Sequence, residues 1–372
     1  PSGEPTEAQL KRSLQVAAPL LDWFKSDGRK DLPWQVRPTP YRVWVSEIML
    51  QQTQVATVLP YYRAFMSRFP DLATLAEAEL DEVLHLWSGL GYYARARTLH
   101  RAARIIAERD GGEFPADIES LMSLPGLGRS TAAAILALSG GQRHAILDGN
   151  VKRVLTRYFG IEGYPGKSAV QKRLWSLAEV CTPHRDVAAY TQAIMDLGAT
   201  VCTRAQPACL LCPLTSNCEA RAHNLQNRLP TPKPKTIRPR REAWVLIVTR
   251  GTGKVLLEHR PPAGIWGGLW ALPEFPTRAH AAQWCAEYLS GASELRVGEV
   301  LSHAFSHFDY ELRSLTVRCR GKSAELREND RYRWYDTRAP ARVGLPKPIE
   351  TLIGVTTDGL QSSSKRRSSR SK

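Results

Sequence analysis

Residues 229–241, LPTPKPKTIRPRR, carry four prolines, five basic residues and no acid. Proline fixes φ and offers no N–H, so no helix can run through this stretch, which reads as an extended tether. The chain must therefore fold as separate pieces on either side. Before the stretch, apolar residues recur at helical spacing, as in Leu80, Val83, Leu84 and Trp87. Thr39-Pro40 reads as an N-cap and first helical residue opening a helix through 41–58. Further helices are expected over 8–26, 117–123, 129–139, 150–159, 168–180 and 188–197. After the stretch the pattern becomes strand-like over 244–248, 255–258, 310–319 and 332–335. A helix is expected over 278–289 and another after Pro348. The layout is a helical domain over 1–223, a linker over 224–242, a smaller α+β domain over 243–355, and a basic disordered tail over 356–372.

Lys and Arg number 51 against 36 Asp and Glu, a net charge of +15. Such an excess points to a polyanionic partner, nucleic acid ahead of an anionic membrane surface. No apolar run reaches the ~18–20 residues of a membrane span, so no membrane association is expected. The first residues lack the basic-then-apolar order of an export signal, so a reducing compartment is expected, the cytoplasm or a eukaryotic nucleus.

Four of the seven cysteines, Cys202, Cys209, Cys212 and Cys218, are spaced C-x6-C-x2-C-x5-C. Such a set can close disulfides, hold a structural zinc or hold an iron–sulfur cluster, and a reducing compartment counts against disulfides. Cys181, Cys285 and Cys319 fall outside the pattern and read as buried thiols.

Three further segments carry chemistry. In LPGLGRST, residues 124–131, Gly126 and Gly128 permit a tight turn with a helix starting at once, which makes either a phosphate seat or an ordinary helical hairpin. In ILDGNVKR, residues 146–153, Asp148 either caps the next helix or serves as a persistent anion, its pKa lowered by the helix N-terminus. Lys152 and Arg153 either meet phosphate or are solvated. Glu47 sits in VWVSEIML, and an acid in so apolar a helix should be desolvated and held protonated, unless it lies on an exposed stripe. Glu47 and Asp148 would then be a carboxyl pair with separated pKa values, one acid and one anion. Gln51 and Gln52 offer amides to base edges or form a polar helix face. WSGLGYYAR, residues 87–95, combines glycine, aromatics and arginine, as a loop pressed into nucleic acid would, or as buried core would.

SEIMLQQTQV, WSGLGYYARAR, LPGLGRSTA, LDGNVKR and the cysteine quartet together resemble the MutY-type adenine DNA glycosylases of the helix-hairpin-helix superfamily that includes endonuclease III. The resemblance implies an all-α helix-hairpin-helix domain with a [4Fe–4S] cluster on Cys202, Cys209, Cys212 and Cys218. It implies a monomeric enzyme that removes adenine opposite 8-oxoguanine or guanine in double-stranded DNA. Glu47 would protonate the base and Asp148 would stabilise the cationic sugar. Lys30, Leu32, Trp34, Val55 and Gln192 would line the adenine pocket. Gln52 and Tyr92 would form the intercalating wedge, with Gln51, Gly126, Gly128 and Lys152 also at the DNA. Ser130 stands where bifunctional relatives carry a lysine nucleophile, which implies a monofunctional enzyme. The C-terminal segment resembles a Nudix fold without its R-E-x-x-E-E acidic box, which implies a reader of 8-oxoguanine through Phe305, Ser306 and His307.

Overall fold

The computed structural model describes residues 5–109, 111–234, 237–251, 253–289, 292–319 and 329–355. The expected tail over 356–372 lies outside them. Along the chain run α1 (Glu7–Ser13), α2 (Ala17–Asp27), α3 (Pro40–Leu50), α4 (Val55–Arg68), α5 (Leu72–Glu77), α6 (Leu80–Trp87), α7 (Ala94–Arg109) and α8 (Ile118–Met122). Then come α9 (Arg129–Gly140), α10 (Gly149–Tyr158), α11 (Ser168–Cys181), α12 (Val187–Asp196) and α13 (Glu219–Ala222). The remainder holds β1 (Arg240–Arg250), β2 (Lys254–His259), β3 (Trp270–Ala271), β4 (Glu274–Phe275), α14 (Arg278–Tyr288), β5 (Arg296–Ala304), β6 (Asp309–Cys319) and β7 (Tyr332–Asp336), with a further helical segment over 347–355.

The chain forms two compact units: Pro1–Glu77 with Thr98–Lys235, and Ala78–Arg97 with Thr236–Lys372. The segment 78–97, expected in the helical domain, thus groups with the C-terminal residues. Trp270 Nε1 donates to Asp81 Oδ2 at 3.0 Å, Tyr93 Oη to the Leu345 carbonyl at 3.1 Å, and Leu345 N to Ser88 Oγ at 3.2 Å. Leu84 leaves no room beside Gly344, where an added Cβ would lie 2.6 Å from the Leu84 Cβ.

In the first unit, Tyr158, Leu174, Leu177, Tyr190, Ile194 and Leu197 are at most 3 % exposed and share one core. Ala132, Ala133, Ala134 and Ala137 make α9 slim, and it packs against both α3 and α12. Small side chains allow that close approach, which gathers the elements of the site. In the second unit, β1 pairs in parallel with β6 and antiparallel with β2 in the order β3-β2-β1-β6-β5, while β4 also pairs with β1 and β7 with β2. One face buries Leu246, Val248, Leu256, Leu315 and Val317 under Ala281 and Cys285 of α14.

Three expectations are corrected. The helix expected over 41–58 is two helices, because Gln52 takes φ +59° and the chain turns between α3 and α4. The polar face imagined for Gln51–Gln54 is therefore a turn. The helix expected over 8–26 breaks between α1 and α2, around Leu14–Val16. The expected linker 224–242 is shorter: β1 begins at Arg240, where β6 supplies a parallel partner from Asp309 onward. Its start is also fixed, since Thr231 Oγ1 accepts from Gly163 N at 3.1 Å and the Leu229 carbonyl accepts from Arg157 Nε at 2.8 Å.

Candidate active site

Thr39 caps α3 by accepting from Arg42 N at 3.2 Å, and Pro40 fits the first helical position. The helix then buries Val43, Trp44, Val45, Ser46, Ile48 and Met49 around Glu47. Burial pushes the Glu47 carboxyl up to about 8, and the charge of Asp148 pushes the same way. Among the described residues no donor lies within hydrogen-bond reach of the Glu47 carboxyl.

Asp148 caps α10, its Oδ1 accepting from Val151 N at 2.8 Å and its Oδ2 from Asn150 Nδ2 at 3.1 Å. Its pKa is raised, which corrects the expectation of a lowered one. Burial outweighs the bonds from Val151 and Asn150 and the charge of Arg153. The two carboxyls differ in their hydrogen bonds: Val151 N and Asn150 Nδ2 favour the Asp148 anion, while burial and the Asp148 charge both act against that of Glu47.

Ser130, the second residue of α9, accepts from Leu147 N at 2.9 Å through Oγ. It thereby fixes the backbone immediately before Asp148. Gly126 takes φ +82°, and a Cβ there would meet Thr98 Oγ1 at 2.7 Å. Gly128 caps α9 without a side chain, and nothing lies within 4 Å of where its Cβ would be. The space beside Gly128 lies at the N-terminus of α9, the positive end of a helix, which suits a phosphate. Gln51 Nε2 reaches Thr131 Oγ1 at 3.5 Å beside this turn.

The residues expected in a base pocket lie on a loop, α4 and α12. Leu32 and Trp34 are buried in the 28–39 loop, and Trp34 meets Tyr62 edge-on at 5.2 Å. Gln192 is buried in α12, and its Nε2 donates to Asp196 Oδ1 at 2.8 Å. Asp196 in turn binds Arg29 of the loop. Val55 opens α4, half-buried. Lys30 is exposed, over the Phe24 ring at 5.8 Å, with Nζ donating to the Lys25 carbonyl.

Arg153, read from sequence as a phosphate contact or a solvated residue, binds inward. It donates to the Cys202 carbonyl at 2.7 Å, the Gly198 carbonyl at 2.5 Å and Asn150 Oδ1 at 2.8 Å. One turn on, Arg157 donates to the Leu229, Thr203 and Arg204 carbonyls and reaches Cys202 Sγ at 3.3 Å. Lys152 is half-buried on the same helix. Cys202, Cys209, Cys212 and Cys218 line one cavity of about 30 Å³ with Val154, Arg157 and Leu197, and all four are free thiols. Burial pushes Cys212 up to about 12 and raises Cys218, so a metal binding there would displace protons. Among the described residues no three His, Cys, Asp or Glu side chains are arranged to hold a single metal ion. Cys181, Cys285 and Cys319 are buried elsewhere.

In the second unit Tyr92 is 47 % exposed with φ +50°, and its ring lies 5.3 Å from the Arg95 guanidinium. Its hydroxyl lies 3.5 Å from Ser306 Oγ. Ser306 and His307 are exposed in the β5–β6 turn, closed by Phe305 N donating to the Phe308 carbonyl at 2.9 Å. Phe305 stacks on Phe308 at 4.7 Å and lies 6.0 Å from Trp266. Sequence reasoning missed Arg29, Asp196, Arg157, Trp266 and Phe308. The first three are single polar residues whose partners are remote in sequence. The last two read as ordinary core aromatics.

A family model described as HhH-GPD superfamily base excision DNA repair protein matches residues 45–179, and a NUDIX domain model matches 243–354. The helical region has the fold of a thermostable thymine-DNA glycosylase (TM-score 0.53, 28 % identity, 58 % of this chain and 100 % of that one) and of an endonuclease III–DNA complex (TM-score 0.50, 21 % identity, 60 % and 99 %). These define a helix-hairpin-helix base excision repair protein. The adenine DNA glycosylase of Buchnera aphidicola from Acyrthosiphon pisum is 37 % identical over 334 residues, covering 90 % of this chain and 95 % of its own. The human adenine DNA glycosylase is 37 % identical over 351 residues, covering 77 % and 64 %. The chain belongs to the adenine DNA glycosylase family, hydrolases of N-glycosidic bonds. Among the described residues no helix is long and apolar enough to cross a membrane.

The raised pKa of Glu47 has a consequence for stability. Between its ordinary value of 4.5 and about 8, the folded chain holds a proton that the unfolded chain has lost. The stability this proton confers is complete below pH 4.5 and is lost as pH rises through 8. Glu47→Gln is neutral throughout. It is expected to melt above the wild type at pH 9, with the gap closing toward pH 4.5. Coincident melting curves at pH 9 would refute the buried acid.

Proposed function

We propose that this base excision glycosylase hydrolyses the N-glycosidic bond of adenine paired with 8-oxoguanine or guanine in duplex DNA, as a monofunctional monomer. The observation that carries the reading is the unequal carboxyl pair, Glu47 with its pKa near 8 beside a donor-stabilised Asp148. A stacked nucleotide hides its glycosidic bond, so the adenosine is flipped out of the helix. Glu47 donates its proton to the departing base and afterwards helps to activate water. Asp148 holds a negative charge against the oxocarbenium-like sugar, and its cap bonds keep it oriented. Ser130 offers no amine for a Schiff base and already serves as acceptor for Leu147 N, so water is the nucleophile.

The DNA is held by the Gly126–Gly128 turn and the N-terminus of α9 at a phosphate, with Lys152 and Gln51 contributing. Gln52 and Tyr92 enter the stack as a wedge. Both carry φ above zero and stand exposed. Ser306 reads 8-oxoguanine by a hydrogen bond, flanked by Phe305 and His307. Lys30, Leu32, Trp34, Val55 and Gln192 line the adenine pocket.

Cys202, Cys209, Cys212 and Cys218 hold a [4Fe–4S] cluster. Four sulfurs spread around one cavity suit a group larger than a single ion, and Arg157 supplies a charged donor to Cys202 Sγ. When bound, the cluster would tie the loop 202–218 to itself, and Arg153 and Arg157 of α10 hold that loop through hydrogen bonds. Purified protein is expected to be brown, with visible thiolate-to-iron absorbance and about four irons per chain. Colourless protein containing zinc would sink this reading.

The activity is tested by single-turnover incubation with an A:8-oxoguanine duplex, followed by alkali to reveal abasic sites. The wild type should release adenine. Asp148→Asn should bind the duplex and lose turnover by roughly 10²-fold or more. Full turnover in that variant rejects the role of Asp148, and efficient strand cleavage without alkali would instead mark a lyase. Ser306→Ala should narrow the preference for 8-oxoguanine over guanine by about three- to tenfold, the worth of one hydrogen bond. An unchanged ratio would remove Ser306 from lesion reading.

A further inference from the structure

Asp196 is fully buried yet takes no part in the chemistry above. Its Oδ1 accepts from Arg29 Nε at 2.9 Å and Nη2 at 2.5 Å, and its Oδ2 accepts from Arg29 N at 2.9 Å. Both its oxygens are thus engaged by Arg29 as acceptors, and a carboxylate in an ion pair with a guanidinium accepts hydrogen bonds without donating any. Gln192 stands one turn earlier on α12, and its Nε2 donates to Asp196 Oδ1 at 2.8 Å. A side-chain amide has one donating end and one accepting end. With Nε2 committed to an acceptor that cannot reverse its role, Oε1 is the end left to face outward.

We propose that Asp196 is a positioning residue that sets base specificity: it fixes the amide of Gln192 so that Oε1 faces the flipped base. This rests on the reading that Gln192 lines the base pocket. A purine with an amino group at C6 donates a hydrogen bond to Oε1. A purine with a keto oxygen at C6 sets acceptor against acceptor and leaves both unsatisfied. A buried mismatch of this kind rejects an analogue far more strongly than a missing contact would. The same carboxylate ties the 28–39 loop to α12 through Arg29, so the orientation of the amide is coupled to the placement of Leu32 and Trp34.

The test compares single-turnover excision of adenine and of hypoxanthine, each opposite 8-oxoguanine. The wild type should favour adenine. In Asp196→Asn the new amide can donate as well as accept, so Gln192 can turn over and present Nε2. The adenine-to-hypoxanthine ratio should then fall by about tenfold, the worth of one exchanged hydrogen bond. Removing the charge leaves the Arg29 guanidinium unpaired, which can unfold the region. The double variant Arg29→Gln/Asp196→Asn leaves no lone charge and should show the same loss of ratio. Equal slowing for both bases, in either folded variant, means that Asp196 only supports the fold, and overturns the proposal. Gln192→Ala separates the two layers. If it lowers the ratio while the Asp196 variants do not, the amide reads the base without help from Asp196. If it leaves the ratio unchanged, Gln192 does not read the base and the proposal falls with that reading.

Discussion

The inward reach of Arg153 and Arg157 holds the first unit together around its chemistry. The two arginines lie one turn apart on α10 and direct their donors to carbonyls of Gly198, of the cysteine loop and of Leu229. A guanidinium presents five donors in a fixed fork, so few other side chains could bind so many carbonyls at once. The same helix begins at Asp148. Anything that pins the body of α10 therefore pins the carboxylate at its tip. Gly198 completes the arrangement, since a Cβ there would lie 2.6 Å from that of Asn150, the residue that donates to Asp148. The cysteine loop, remote from Asp148 in sequence, is thus tied to the helix that Asp148 caps.

The carboxyl pair shows how burial and local donors act differently on two acids. Burial raises both pKa values. The difference lies in the local donors. Asp148 occupies an N-cap and receives N–H bonds, whereas Glu47 is surrounded by apolar side chains of its own helix. Glu47 thus lacks the donors that Asp148 has, which suits the proton donor and the anion of the proposed mechanism. Neither requires a metal or a strained geometry, only the choice of position along a helix.

Much of this was legible from residues alone. Apolar spacing located α9 to α12 within a residue or two, and Pro40 and Thr39 marked the start of α3. Glu47 was identifiable because it interrupts an apolar run. The break after α3 was not, because a left-handed residue at Gln52 leaves no signature in a polar stretch. The raised pKa of Asp148 was misjudged for a related reason. The helix N-terminus is visible in sequence, but the burial that outweighs it comes from elements far along the chain. The grouping of Ala78–Arg97 with the C-terminal strands was equally hidden, since backbone carbonyls such as that of Leu345 carry no sequence signal. The Arg29–Asp196 pair spans 167 residues and follows no local pattern.

Three non-glycine residues with positive φ lie in segments that the proposed function assigns to DNA contact. Gln52, Tyr92 and Trp266 take φ of +59°, +50° and +55°. Each costs about 1–3 kcal/mol and persists only where its surroundings impose it. For Tyr92 the imposing contacts are evident: Trp87 Nε1 and Arg95 Nη2 both donate to the Gly91 carbonyl at 3.1 Å, and the Arg95 guanidinium stacks between the Trp87 and Tyr92 rings. These contacts hold the loop with the tyrosine exposed. Trp266 is strained for an opposite end, buried against His303, Phe305 and Tyr310, where it braces the turn that carries Ser306. In the proposed mechanism Tyr92 enters a base stack and Ser306 reads one oxygen, and both would lose affinity if they had to be ordered on binding. The strain is spent on that order in advance.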